Sequence, residues 1–114
     1  MAAPNAPDAP SADALVVFGV TGDLAFKKIF PSLQALVARG QLHVPIVGVG
    51  RLPMAREQLI ERVRSSVAAR GAVDEAAFSR LASLLQYVSG DYGELDLFTR
   101  IRQALGSAKR PLFY

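Results

Sequence analysis

The chain has 114 residues, 51% of them hydrophobic and 20% charged, with a formal net charge of +3. This length and apolar content suit one small folded domain and leave no room for two. The absence of cysteine excludes a disulfide scaffold, a thiolate metal site and a cysteine nucleophile, and it is compatible with the cytoplasm.

Residues 1–13 are rich in Ala and Pro and hold two acids (Asp8, Asp13) and no base, which leaves the remainder at +5. They lack the basic and apolar regions of a signal peptide, and their composition is that of a disordered leader. A folded domain is expected over 14–114. Its mild positive balance suits an anionic ligand such as a phosphate. The densest basic spot is Lys27-Lys28, too small for a nucleic-acid interface. No apolar run approaches the roughly 20 residues of a membrane-spanning helix, so no membrane partner is expected.

Structure is expected to begin at Ala14. Leu15-Val16-Val17-Phe18 is a continuous apolar run ending at Gly19, the pattern of a strand buried on both faces of a parallel sheet. A glycine turn follows, Gly19-Val20-Thr21-Gly22-Asp23. Leu24, Ile29, Leu33, Leu36 and Val37 then keep a helical rhythm, with Phe26 and Phe30 beside them, until Arg39-Gly40. Pro31 lies inside this helix and predicts a kink or two short helices in series. Pro45 to Gly50 reads as a second strand, followed directly by Arg51. A helix over 55–70 is expected to face Leu59, Ile60, Val63 and Val67 inward, with Arg56, Glu57, Glu61, Arg62, Arg64 and Arg70 on its outer face and Gly71 at its end. Asp74 is placed to cap a third helix running through Phe78, Leu81 and Leu85. Gln86 to Ser89 reads as a short strand closed by Gly90-Asp91-Tyr92-Gly93. Leu95, Phe98, Ile101 and Leu105 mark a fourth helix ended by Gly106. After Lys109-Arg110-Pro111, the residues Leu112-Phe113-Tyr114 read as the opening of a core strand whose remainder is missing, so a partial chain is expected. Strands alternating with helices predict βαβ units with right-handed crossovers and a parallel α/β sheet of three or four strands.

The glycine turn carries the chemistry. Free N–H groups at a helix N-terminus point at an anion, and the helix dipole favours negative charge there. Glycine permits the turn because it lacks Cβ and tolerates positive φ. Thr21 adds a hydroxyl. The motif G-V-T-G-D-L departs from the usual G-x-G-x-x-G, and its G-x-x-G spacing is weakly specific alone. A P-loop fits poorly, because no Gly-Lys-Ser/Thr triplet follows the strand. Arg51 stands where dinucleotide folds meet the adenosine ribose. An acid there selects NAD, whereas an arginine welcomes the 2′-phosphate of NADP. The competing readings are a plain βα turn capped by Asp23 and a solvated Arg51.

Gly19 to Ala25 with Lys27-Lys28-Ile29-Phe30-Pro31 resembles the coenzyme fingerprint of the glucose-6-phosphate dehydrogenase family, a G-x-x-G-D-L-A turn followed by basic residues and an aromatic-proline pair. Ile46 to Arg51 resembles that family's second strand with its NADP-selecting arginine. Tyr87 to Tyr92 and Arg110 to Tyr114 resemble two further strand segments in the same order. The resemblance implies a Rossmann-like fold and oxidation of glucose 6-phosphate at C1 to 6-phosphogluconolactone. Hydride passes to NADP, opening the oxidative pentose phosphate pathway. It implies coenzyme contacts from Gly19, Val20, Thr21, Gly22, Asp23, Leu24 and Arg51, and a substrate contact from Lys28. It also implies a cytoplasmic, homo-oligomeric full-length enzyme. The family's catalytic histidine motif has no counterpart here. His43, the single histidine, reads as a surface residue, so no catalytic residue is assigned and the chain alone is expected to be inactive. Two alternatives are a non-catalytic nucleotide-binding module and another NADP-dependent Rossmann dehydrogenase.

Overall fold

The computed structural model describes residues 12–91 and 93–114. Most of the expected leader, and Tyr92 in the loop after the third strand, lie outside the described residues. The fold is α/β. Its elements in chain order are β1 (Ala14–Phe18), a π-helical turn (Ala25–Ile29), α1 (Phe30–Ala38), β2 (Ile46–Gly50), α2 (Arg56–Ala68), α3 (Glu75–Leu84), β3 (Leu85–Ser89), α4 (Leu95–Leu105) and β4 (Pro111–Phe113).

All strand pairs are parallel, in the order β3-β2-β1-β4. β2 is buried along its whole length, as its unbroken apolar run requires. The chain winds outward from β1 to β3 and then crosses to the other side of β1. Helices α1, α2 and α3 cover one sheet face through Phe30, Leu59, Val63 and Leu81. Helix α4 covers the opposite face through Leu97, Ile101 and Leu105. The strand order therefore reverses between β1 and β4, and ligands of open α/β sheets bind beyond the carboxyl ends of strands at such a point. At that point the rings of Phe18 and Phe113 stack with centroids 6.2 Å apart. Asp13 ties β4 down. Its carboxylate accepts the N–H groups of Lys109 and Arg110, both at 2.7 Å. The first of these bonds is the main reason its carboxyl is held below the usual carboxylate range.

Pro31 explains the π-helical turn. The Phe30 N–H bonds the Ala25 carbonyl, five residues back. In that pattern the Phe26 carbonyl would fall to residue 31, which is proline and has no N–H. The buried Ser66 hydroxyl, reaching across from α2, donates to the Phe26 carbonyl instead. The Ser32 hydroxyl likewise donates to the Lys28 carbonyl at 2.9 Å. Two helical segments in series thus realise the expected interruption. Ser66→Ala is expected to destabilise the fold by roughly 1–2 kcal/mol, because it leaves an unpaired carbonyl. Chemical denaturation with an unchanged m-value checks this.

Three expectations need correction. Leu85 does not end the third helix; it is buried as the first residue of β3, and α3 runs into β3 with no intervening loop. In α4 the buried stripe is Leu97, Ile101 and Leu105, while Leu95 and Phe98 are 92% and 55% exposed. The outer face of α2 is not simply solvated. Arg56 caps the end of α3, donating to the carbonyls of Leu85 (2.7 Å) and Ala82 (2.6 Å). Arg64 forms a fork with Glu75 at 2.9 and 3.0 Å and lies over the Phe78 ring. Arg62 serves the glycine turn.

Candidate functional site

The carboxyl end of β1 feeds the turn. Gly19 takes φ +73°, a left-handed conformation that glycine adopts without steric cost. Its N–H and that of Val20 both reach the Val49 carbonyl, at 2.9 and 3.2 Å, which fixes the turn on β2. The Gly22 N–H closes the turn on the Gly19 carbonyl at 3.0 Å. The Val20 side chain is buried against the sheet. Val20 therefore holds the turn in place. Among the described residues, nothing accepts the N–H groups of Thr21, Asp23 or Leu24. These donors open the first helical turn, where no intrahelical carbonyl lies ahead of them. Asp23 is exposed, and no side chain caps the helix start, so the plain capped-turn reading is not what forms here.

The carbonyl side of the same turn is occupied. Arg62, half-buried on α2, donates from Nε to the Val20 carbonyl at 3.1 Å and from Nη2 to those of Thr21 (3.1 Å) and Gly22 (3.0 Å). Its guanidinium also stands 5.1 Å from the centroid of the Phe26 ring. Sequence reasoning missed this residue. It lies forty residues from the turn, and its spacing on α2 marks it only as one of several outward arginines.

Close packing of the turn on β2 depends on two glycines. A Cβ on Gly48 would stand 3.0 Å from the Val20 side chain. One on Gly50 would stand 2.7 Å from Tyr87 Oη and 3.0 Å from Thr21 Cγ2. The Tyr87 hydroxyl, accommodated by the missing Cβ, donates to the Leu52 carbonyl. Tyr87 thereby fastens the segment that carries Arg51. Burial pushes this phenol further up from its ordinary range. Arg51 is exposed, follows directly on β2, and has no hydrogen bond or ion pair among the described residues.

Lys28 lies elsewhere. It lines an open cavity of about 790 Å³ between the first helix and the β1–β4 edge, together with Leu24, Leu33, Leu112 and Tyr114. His43 is exposed in the loop before β2. That is the amino end of the sheet, and His43 lines the same cavity as Lys28. No group of three or more His, Cys, Asp or Glu side chains that could hold a metal ion occurs among the described residues. No helix among them is long and apolar enough to cross a membrane.

This geometry is that of a dinucleotide fold, and comparison with known proteins sharpens it. The family model described as "Glucose-6-phosphate dehydrogenase, NAD binding domain" matches residues 16–114. The chain belongs to the glucose-6-phosphate dehydrogenase family. It is 40% identical over 104 residues to glucose-6-phosphate 1-dehydrogenase 1 of Mycobacterium bovis, covering 91% of this chain and 22% of that protein. It is 35% identical over 115 residues to the cytoplasmic glucose-6-phosphate 1-dehydrogenase 6 of Arabidopsis thaliana, covering 88% of this chain and 22% of that protein. The crystal structure of glucose-6-phosphate 1-dehydrogenase from Mycobacterium avium superposes with a TM-score of 0.87 at 39% identity, over 93% of this chain and 24% of that one. A glucose-6-phosphate dehydrogenase in complex with its substrate glucose-6-phosphate superposes with a TM-score of 0.77 at 26% identity, over 92% of this chain and 24% of that one. The chain thus spans about a quarter or less of these family members. The Rossmann-like fold expected from the strand–turn–helix pattern is the family's fold.

Proposed function

We propose that this chain forms the adenosine- and diphosphate-binding part of an NADP-dependent glucose-6-phosphate dehydrogenase. The observation that carries the reading is that, among the described residues, nothing accepts the N–H groups of Thr21, Asp23 and Leu24 at the turn after β1 and nothing pairs with Arg51 at the end of β2. The donor set fits the coenzyme. Three amides and the Thr21 hydroxyl match diphosphate oxygens, and a guanidinium matches a second phosphate on the ribose. Gly19 and Gly22 shape the turn, and Val20 anchors it. Asp23 and Leu24 act through their backbone, since a carboxylate and an isobutyl group have nothing to offer a phosphate. When bound, NADP supplies the hydride acceptor; the chain supplies orientation and charge.

Lys28 is assigned to the phosphate of glucose 6-phosphate. It projects from the opening of the first helix into the cavity beside β4, on the side where the strand order reverses. The family match supports the lactone product and the pentose phosphate pathway, and a homo-oligomeric full-length enzyme is proposed beside them. A plant relative named as cytoplasmic supports a cytoplasmic location. The family match favours this enzyme over a stand-alone nucleotide-binding module.

Isothermal titration tests the reading. The chain should bind NADP more tightly than NAD, with one site. No binding of either coenzyme would overturn the assignment. A second expectation concerns turnover. The single imidazole, His43, lines the same cavity as Lys28, but no described residue orients it by a hydrogen bond or ion pair, as a positioned general base requires. The 114 residues should therefore produce no NADPH from glucose 6-phosphate and NADP above a protein-free blank, as followed by NADPH absorbance.

A further inference from the structure

We infer that Arg62 is a positioning residue for the diphosphate turn: by holding the turn's carbonyls on one side, it aims the N–H groups of Thr21 and Asp23 at the coenzyme. The inference rests on the proposed coenzyme site. In a trans peptide plane C=O and N–H point in opposite directions. The Val20 carbonyl and the Thr21 N–H share one plane, and the Gly22 carbonyl and the Asp23 N–H share another. Arg62 donates to both of those carbonyls, at 3.1 and 3.0 Å. The two N–H groups therefore face away from α2, and nothing among the described residues accepts them. The third carbonyl held by Arg62 belongs to Thr21. The N–H of that plane, Gly22's, is the one turned inward to the Gly19 carbonyl at 3.0 Å. One guanidinium fork thus sets three successive peptide planes.

A planar fork with several donors can do this, whereas a lysine ammonium cannot span the three carbonyls in fixed geometry. The Phe26 ring, 5.1 Å from the guanidinium carbon, backs the side chain from the helix that the turn opens. The positive charge also lies directly behind the amides that would meet the diphosphate, and it strengthens their dipoles in the sense an anion requires. This role differs in kind from that of Arg51. Arg62 reads no feature that distinguishes NADP from NAD, because both carry the same diphosphate.

The test compares Arg62→Met and Arg62→Lys with the wild-type chain by isothermal titration, at a temperature where circular dichroism shows all three folded. Arg62→Met should weaken NADP, NAD and ADP alike by about tenfold, with the NADP-to-NAD ratio unchanged. Arg62→Lys should recover only part of the loss. In amide correlation spectra without ligand, the Thr21 and Asp23 resonances should move in both variants. If wild type and Arg62→Met bind all three ligands within twofold of each other, the positioning role is wrong although the site stands. A loss confined to NADP would also overturn it, because that would place Arg62 at the 2′-phosphate. A wild-type chain that binds none of the three would instead overturn the coenzyme site itself.

Discussion

Arg51→Ala is expected to remove the preference for NADP over NAD, weakening NADP by roughly 10–100-fold while leaving NAD within about twofold. The magnitude follows from a charge-assisted hydrogen bond worth about 1.5–3 kcal/mol, at 1.4 kcal/mol per tenfold change. The asymmetry follows from position. Among the described residues Arg51, exposed at the end of β2, has no hydrogen-bond or ion-pair partner that its removal would strand, and NAD offers it no phosphate. Arg51→Lys should keep part of the preference, because a point charge still attracts the phosphate without bidentate geometry. The preference should also shrink with added salt, since an exposed charge pair is screened over about 8–10 Å at physiological ionic strength. Parallel titrations with NADP and NAD at two salt concentrations check all three statements. Equal losses for both coenzymes would mean that Arg51 does not read the ribose phosphate.

Gly50→Val is expected to destabilise the fold by about 2–3 kcal/mol and to weaken both coenzymes. A single Cβ at this position already meets Tyr87 Oη at 2.7 Å and Thr21 Cγ2 at 3.0 Å, and valine adds two methyl groups to it. Overpacking of this kind forces neighbours off their preferred geometry. Tyr87 must swing away and release the Leu52 carbonyl, and Thr21 must lift from β2 with the turn it belongs to. A thermal melt reads the stability loss, and titration of the folded variant reads the binding loss. Gly50→Ala should show the same signs at smaller size. Wild-type affinity in a destabilised Gly50→Val would show that the turn does not depend on its seat against β2.

Much of the fold is legible in the sequence because the two inner strands are short, unbroken apolar runs rich in valine and ending in glycine, the pattern of strands in a sheet covered on both faces. Pro31 likewise announced an interruption of the first helix. What it could not announce was the remedy, because Ser66 reaches the Phe26 carbonyl from forty residues away. The fourth helix departs from its sequence pattern for a different reason. Its apolar residues support two overlapping stripes, and the back face of the sheet selects the one through Leu97 rather than the one through Leu95 and Phe98. Leu85 continued the helical period of α3, but pairing with Ile46 draws it into the sheet, and no loop residue marks the boundary. At the site, the glycines, Thr21 and Arg51 stand out because short motifs encode short-range geometry. Arg62 and the Tyr87 hydroxyl do not, because their partners are backbone carbonyls, which have no residue type to recognise.

The most direct test of the central claim is a titration of isotopically labelled chain with NADP, followed by amide correlation spectra. The amides of Thr21, Asp23, Leu24 and Arg51 should shift together and saturate at one equivalent. Saturable binding that leaves those four resonances in place, and moves instead those around Leu33 and Leu112 in the cavity beside β4, would contradict the account.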